Sequence, residues 1–243
     1  MKASLFVTCL MDLFYPEVGE AIVKVLRALG VSLDCPEGQT CCGLPLVNNG
    51  YRAEAAKVAR RMIPLFERSE RIVVPSGSCA WMLREELPRL FSDDAATRAQ
   101  AEAMGRKTLE FSEFVAQVAD GDTIGISLPG TTVTYHDSCH LLRGLGVSEE
   151  PRRLLRRVEG IRYVEMQGAD RCCGFGGSFS VKLPEISGAI LREKIRNIEA
   201  TGAEIVVADD CGCIMQMSGG LSRQGSGARV LHLAQVLAGQ GTR

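Results

Sequence analysis

The sequence predicts an α/β protein of two tandem lobes, each a parallel sheet covered by helices, related by internal duplication and approximate twofold symmetry. Three observations carry that expectation. The cysteines recur in register: Cys9 maps to Cys139 (139 − 9 = 130), Cys41 and Cys42 to Cys172 and Cys173 (173 − 42 = 131), and Cys79 to Cys213 (213 − 79 = 134). Their flanks recur as well, Arg71 to Cys79 resembling Glu204 to Cys213, and Leu109 to Val118 paralleling Leu231 to Gln240. Within each copy, short apolar runs alternate with helical periodicity, the pattern of parallel strands joined by helical crossovers.

The elements follow in order. Leu5 to Thr8 is a short apolar and β-branched strand. Val18, Ile22, Val25, Leu26 and Leu29 then fall at helical spacing, and Gly30 is placed to end that helix. Val31 to Leu33 is a second strand, Ala53 to Phe66 an amphipathic helix and Ile72 to Val74 a buried third strand. The second copy follows with strands Val133 to Tyr135 and Ile161 to Val164, the helix Glu185 to Glu199, and a strand Ile205 to Val207. The copies are expected to occupy 1–120 and 128–243, joined by a turn-rich seam from Asp120-Gly121-Asp122 through Pro129-Gly130. This defines two Rossmann-like lobes.

Composition narrows the function. The 243 residues carry 28 Lys and Arg against 29 Asp and Glu, a net charge of −1, so no basic field invites nucleic acid. No apolar run is long enough to span a bilayer, and Met1 to Cys9 has no cleavage pattern, so the expectation is a cytoplasmic protein without membrane insertion. Thiols stay reduced there, and 10 cysteines then read as ligands or redox groups rather than disulfides.

Cys9, Cys79, Cys139 and Cys213 each follow a predicted strand, and the vicinal pairs Cys41-Cys42 and Cys172-Cys173 lie in the loop after the second strand of each copy. Ligands of open parallel sheets gather outside the carboxyl ends of the strands, so the four cysteines of each copy should converge. Adjacent cysteines diverge from the backbone and are hard to pack together, whereas a multi-iron cluster can take both. The expected cofactor is one iron–sulfur cluster per lobe, of the 4Fe-4S type, with a zinc ion in one lobe as the alternative. Gly43 and Gly174, and with them Gly176 and Gly177, let the main chain approach such a group and aim N–H donors at sulfur.

Other residues take lesser roles. Cys35 has no partner in the second copy and reads as a packed thiol; Cys211 aligns with Gly77 and is either a fifth ligand or a bystander. His136 and His140 flank Cys139, where they serve either to hydrogen-bond or protonate the site, or simply as strand-end polar residues facing a loop. His232 aligns with Glu110 and is given no role. Trp81 packs over the site, and Arg152, Arg153, Arg156 and Arg157 form a solvated helix face or a docking patch for an acidic carrier. Gly174-Phe175-Gly176-Gly177-Ser178 lacks the third glycine of a dinucleotide loop, because Phe179 stands there. No Cys-x-x-Cys-x-x-Cys run of the ferredoxin kind is present.

The duplicated pattern of a lone Cys, a Cys-Cys-Gly and a further Cys resembles the cysteine-rich CCG domain of heterodisulfide reductase B subunits and of iron–sulfur subunits of glycolate and glycerol-3-phosphate oxidising complexes. Over the whole chain, Phe6-Val7-Thr8-Cys9, the stretch from Cys172 to Lys182, and Glu185-Ile186-Ser187-Gly188 are similar to the lactate-utilisation protein A family. The resemblance implies an electron-transfer subunit of a cytoplasmic complex oxidising L-lactate to pyruvate. It also implies two partners, a ferredoxin-like iron–sulfur protein and a third lactate-utilisation subunit. The alternatives are a cluster-dependent thiol–disulfide reductase of the heterodisulfide type and a zinc-bound non-redox module. Against the first, Met82 and Gln216 stand where those reductases carry the second cysteine of a Cys-x-x-Cys pair.

Overall fold

The computed structural model describes residues 1–119 and 126–241. Strands β1 (Lys2–Leu5), β2 (Ser32–Asp34), β3 (Ile72–Val74) and β4 (Thr108–Glu110) form the first sheet; β5 (Thr132–Tyr135), β6 (Arg162–Tyr163), β7 (Ile205–Ala208) and β8 (Arg229–His232) form the second. Both sheets are wholly parallel, ordered β2-β1-β3-β4 and β6-β5-β7-β8. Among the described residues the first lobe carries helices α1 (Cys9–Phe14), α2 (Pro16–Ala28), α3 (Leu44–Asn48), α4 (Arg52–Met62), α5 (Gly77–Trp81), α6 (Ala95–Lys107) and α7 (Phe111–Val118). The second carries α8 (Glu149–Arg156), α9 (Ser178–Lys182), α10 (Pro184–Thr201), α11 (Cys211–Arg223) and α12 (Leu233–Leu237). The Asp120 to Asp122 part of the expected seam lies outside the described residues.

Five of the predicted strands lie within one residue of their expected ends, and the first is shifted. β1 ends at Leu5 instead of running to Thr8, because beyond Phe6 no neighbouring strand takes the backbone. The Gln39 side chain takes it instead, accepting from Val7 N at 2.9 Å and donating to Leu5 O at 3.0 Å. Cys9 therefore opens a helix. The fourth strand of each sheet went unread, since Thr108-Leu109-Glu110 holds one apolar residue and Arg229 to His232 begins and ends on charged or polar ones. Glu110 and His232 are nonetheless fully buried, for each caps the helix that follows: Glu110 accepts from Ser112 N, and His232 Nδ1 from Ala234 N. Helix α6 has no counterpart in the second lobe, which is why the offset drops to 122 at this pair (232 − 110 = 122).

Strands β3 and β7 are apolar and covered on both faces; Ile72, Val73 and Val74 are all fully buried, as are Ile205, Val206 and Val207. Each such side chain contributes about 1.5–3 kcal/mol, whereas an exposed ion pair such as Arg98–Glu102 contributes about 0–1 kcal/mol. Packing therefore sets the architecture. One hydrophobic core runs through both lobes, from Val18, Ile22 and Phe114 to Leu154, Val236 and Leu237. Equivalent helices meet reciprocally, α2 against α12 and α8 against α7, as an approximate twofold axis requires. The lobes also approach at their backbones, with Gly77 N donating to Asp209 O at 3.1 Å. A Cβ on Gly77 would stand 2.5 Å from Leu141 Cβ and 3.1 Å from its Cα.

Because the obstruction at Gly77 includes backbone, it cannot be relieved by a rotamer change. Gly77→Ala is expected to lower unfolding stability by about 1–3 kcal/mol, while Gly227→Ala, in open space, changes it by less than about 0.5 kcal/mol. Urea midpoints at matched slope measure both. Burial also holds the His232 imidazole down to about 4, against about 6.5 in an unfolded chain. Between those values the unfolded state binds the extra proton, so stability present above pH 6.5 is lost as pH falls towards 4, by on the order of 3 kcal/mol. His232→Asn, which still caps, should flatten that part of the pH profile.

Candidate metal centre

In each sheet the strand order reverses between the two central strands, and such a switch point opens a crevice at the carboxyl ends. Cys9 and Cys79 follow the central strands β1 and β3; Cys139 and Cys213 follow β5 and β7. The vicinal pairs come in from the loops after the edge strands β2 and β6. All eight cysteines of the two quartets line one cavity of about 250 Å³, together with Cys211, Gly176, Gly177, His140 and Asp210. The convergence expected within each lobe is present, and the two quartets share a single enclosure between the lobes.

Within the quartets sulfurs lie close in pairs. Cys9 Sγ is 3.6 Å from Cys41 Sγ, Cys42 Sγ 3.4 Å from Cys79 Sγ, and Cys173 Sγ 3.3 Å from Cys213 Sγ. Hydrogen bonds from Cys42 and Cys9 pull the Cys41 thiol far below the ordinary range, and those from Cys139 and Cys173 do the same to Cys172. The donors Cys9, Cys42, Cys139 and Cys173 are pushed up in turn. Each lobe thus presents one thiolate steadied by neighbouring thiols, the form that binds a soft metal.

Main chain completes the site. Gly174 N points at Cys172 Sγ at 3.3 Å, and this requires a φ of 91° and an approach so close that a Cβ would lie 2.6 Å from Ser187 O. Gly176 and Gly177 line the cavity, whereas Gly43 and Gly174 form the turns beside it. Helices α5 and α11, which carry Cys79 and Cys213, start on the N-caps Ser76 and Asp210. These caps bond each other across the interface: Asp210 Oδ2 accepts from Ser76 Oγ at 2.9 Å, Ser78 Oγ at 2.6 Å and Ser78 N at 3.2 Å.

Several expectations need correction. Cys35 is exposed, not packed, because it lies past the end of an edge strand; its Sγ accepts from Gln39 Nε2 at 3.4 Å. His136 does not face a loop: it is fully buried, and neither ring nitrogen has a hydrogen-bond partner among the described residues. Its ligating nitrogen and the sulfurs of Cys173 and Cys213 lie within 4.8 Å of one another, a His/Cys/Cys group able to hold a metal ion. His140 keeps closer to the expected role, with Nδ1 3.8 Å from Cys139 Sγ. Its ring packs on Trp81 at 4.7 Å, so Trp81 closes the lobe interface. Cys211 is buried against the core and lines the cavity, and burial pushes its thiol up.

The arginine cluster is not a uniformly solvated face. Arg152 is buried and holds the equally buried Asp137 through two bonds of 2.8 and 2.7 Å, with Glu165 on its other edge at 2.7 and 2.9 Å. Sequence reading missed this pair because a helical charge run looks solvated until the residue opposite it is known. The pair anchors the segment between His136 and Cys139.

These features define a duplicated, cysteine-rich α/β protein with a thiol-lined cavity at paired switch points. Residues 3–84 and 133–218 match the CCG cysteine-rich domain family. The chain is 48% identical over 237 residues to lactate utilization protein A of Bacillus velezensis, covering 98% of this chain and 99% of that one. It is 46% identical to the protein of that name from Bacillus subtilis, with the same coverage. The chain belongs to the lactate utilization protein A family, within the CCG cysteine-rich domain proteins. A hypothetical protein from Helicobacter pylori shares the fold over 100% of this chain and 49% of its own, with a TM-score of 0.72 at 10% identity. Among the described residues, no helix is long and apolar enough to cross a membrane.

Removing Arg152 strands Asp137 without its donors. Arg152→Met is expected to cost about 3–5 kcal/mol. In a double-mutant cycle with Asp137→Leu the combined loss should fall short of the sum of the two single losses by more than about 0.5 kcal/mol.

Proposed function

We propose that this chain is a cytoplasmic iron–sulfur electron-transfer subunit acting in the oxidation of L-lactate to pyruvate, alongside a ferredoxin-like iron–sulfur protein and a third subunit. The observation that carries the reading is the gathering of two sulfur quartets at equivalent switch points around one cavity. Cys9, Cys41, Cys42 and Cys79 would hold one 4Fe-4S cluster, and Cys139, Cys172, Cys173 and Cys213 the other. Bound there, such clusters supply one-electron redox chemistry, and two suit a substrate that releases two electrons. The donor set fits, being all soft thiolate with vicinal members in each quartet.

The chain's own residues do the rest. Gly174 N steadies Cys172 Sγ, the caps Ser76 and Asp210 fix the helices that present Cys79 and Cys213, and burial of Cys42, Cys79, Cys173 and Cys213 keeps water from the inner sulfurs. The names of the relatives supply the lactate link. Zinc is the second reading, favoured by the donor atoms of His136, Cys173 and Cys213, which lie within 4.8 Å of one another as the ligands of one ion would.

Metal analysis decides between them. Protein purified without oxygen, or reconstituted with iron and sulfide, is expected to carry iron and acid-labile sulfide and to give an EPR signal on reduction; two zinc per chain and no iron would establish the second reading. Cys173→Ser should empty the second lobe and leave the first filled, about a twofold drop in iron. Cys35→Ser should leave iron content unchanged.

A further inference from the structure

The two quartets match, but their surroundings do not. Four positions behind the sulfurs, all buried except the half-buried Gln216, can be paired through the repeat: Phe6 with His136 (136 − 6 = 130), Ala55 with Ser187 (187 − 55 = 132), Met62 with Lys194 (194 − 62 = 132) and Met82 with Gln216 (216 − 82 = 134). The geometry supports the pairing. A Cβ on Gly43 would meet Met82 Cε at 3.7 Å and Ala55 Cβ at 3.9 Å; one on Gly174 would meet Ser187 O at 2.6 Å and Gln216 Nε2 at 3.5 Å. In every pair the first lobe is apolar and the second polar.

In the first lobe, Phe6, Met62 and Met82 are almost wholly buried in one hydrophobic cluster with Cys42 and Cys79, and Phe6 stacks on Phe66 at 5.6 Å. In the second, Lys194 is 1% exposed, and its ammonium donates to Gly168 O at 2.6 Å and Ala169 O at 3.2 Å. Helix α10 thereby carries a cation into a core that contains Cys173 and Cys213. Its charge is felt by Cys173, Cys213 and His136, although burial draws Lys194 itself down to about 8. Two carboxylates act on Lys194: Asp137, which is bound by Arg152, and Asp170, which is exposed to solvent. The opposing carboxylate, Asp210, caps α11 and accepts four hydrogen bonds, three from the first lobe and one from Gly212 N. Those donors and the helix N-terminus offset its charge. A buried cation in low dielectric favours whichever redox state of a neighbouring centre is the more negative, which is the reduced one.

We propose that the two centres are held at different reduction potentials, Lys194 raising that of the second lobe, so that electrons pass through the chain from the first lobe to the second. In this step one electron leaves the reduced first-lobe centre and enters the oxidised second-lobe centre, with no bond made or broken. The electrons originate in the hydroxy-acid oxidation and leave to a one-electron iron–sulfur carrier. The inference rests on the cluster reading above.

Potentiometric titration followed by EPR tests it. The wild-type chain should titrate in two waves, and the iron retained in Cys42→Ser, which keeps the second-lobe site, should correspond to the upper wave. Iron retained in Cys173→Ser should correspond to the lower. Lys194→Gln, which can still donate to the Gly168 and Ala169 carbonyls, should lower the upper wave alone. The equilibrium constant for transfer between the lobes should fall at least tenfold, about 59 mV for one electron, and Lys194→Arg should restore it. Coincident waves, the reverse order, or an upper wave unmoved in iron-loaded Lys194→Gln would overturn the proposal. Should Lys194→Gln lose its iron, the order of the waves in the other chains decides alone. A wild-type chain that takes up no iron would instead sink the cluster reading, and this inference with it.

Discussion

The structure turns on the contact between Ser76 and Asp210. Each is the N-cap of the helix that delivers the last cysteine of its quartet, and the two residues correspond through the repeat (210 − 76 = 134). Their side chains meet across the interface at 2.9 Å, with Ser78 on the same carboxylate oxygen. A hydrogen bond to a charged acceptor contributes about 1.5–3 kcal/mol when buried, and Asp210 is only 7% exposed. One residue therefore starts its own helix and fixes the register of the other lobe's. If that contact is lost, the helices that present Cys79 and Cys213 keep their own caps but lose the side-chain link between them.

Parallel topology makes the contact unavoidable. Strand order β2-β1-β3-β4, repeated as β6-β5-β7-β8, puts the carboxyl ends of all central strands on the side where the lobes join. Reciprocal packing of α2 on α12 and α8 on α7 supplies the apolar area, and small residues let the backbones close: Gly77 against Leu141, and Gly144 against Trp81, where a Cβ would come within 2.3 Å of the indole. The lobes thus share a core and a cavity together.

What could be read from the sequence follows from which signals are local. Ile72-Val73-Val74 and Ile205-Val206-Val207 announce strands by composition, and the spacing of Val18, Ile22 and Val25 announces a helix, so the α/β class and the duplication were legible. Strands β4 and β8 were not, because Glu110 and His232 are buried for capping and look like surface residues in sequence. The cysteines identified the site because they repeat. Lys194 and Arg152 stayed hidden for the opposite reason: a lysine or arginine on an amphipathic helix is ordinarily solvated, and only the fold shows that Gly168 O, Ala169 O and Asp137 wait at the other end.

The same contrast separates what duplication holds fixed from what it releases. Sulfur positions, vicinal pairing and the glycine turns are matched in both halves, since any loss there removes a donor outright. Behind them the constraint is only volume, which Met62 and Lys194, or Met82 and Gln216, satisfy about equally well. Volume-matched exchange between apolar and polar side chains is costly in a core unless the polar atoms find partners. Three of the four do here: Lys194 on two carbonyls, Gln216 Nε2 on Ser187 Oγ at 3.1 Å, and Ser187 Oγ on Gly174 O at 2.7 Å. His136 alone has none among the described residues, its two nitrogens lying free beside Cys173 and Cys213. An unpartnered buried imidazole costs about 1–3 kcal/mol, and the group best placed to recover that cost is whatever those sulfurs hold.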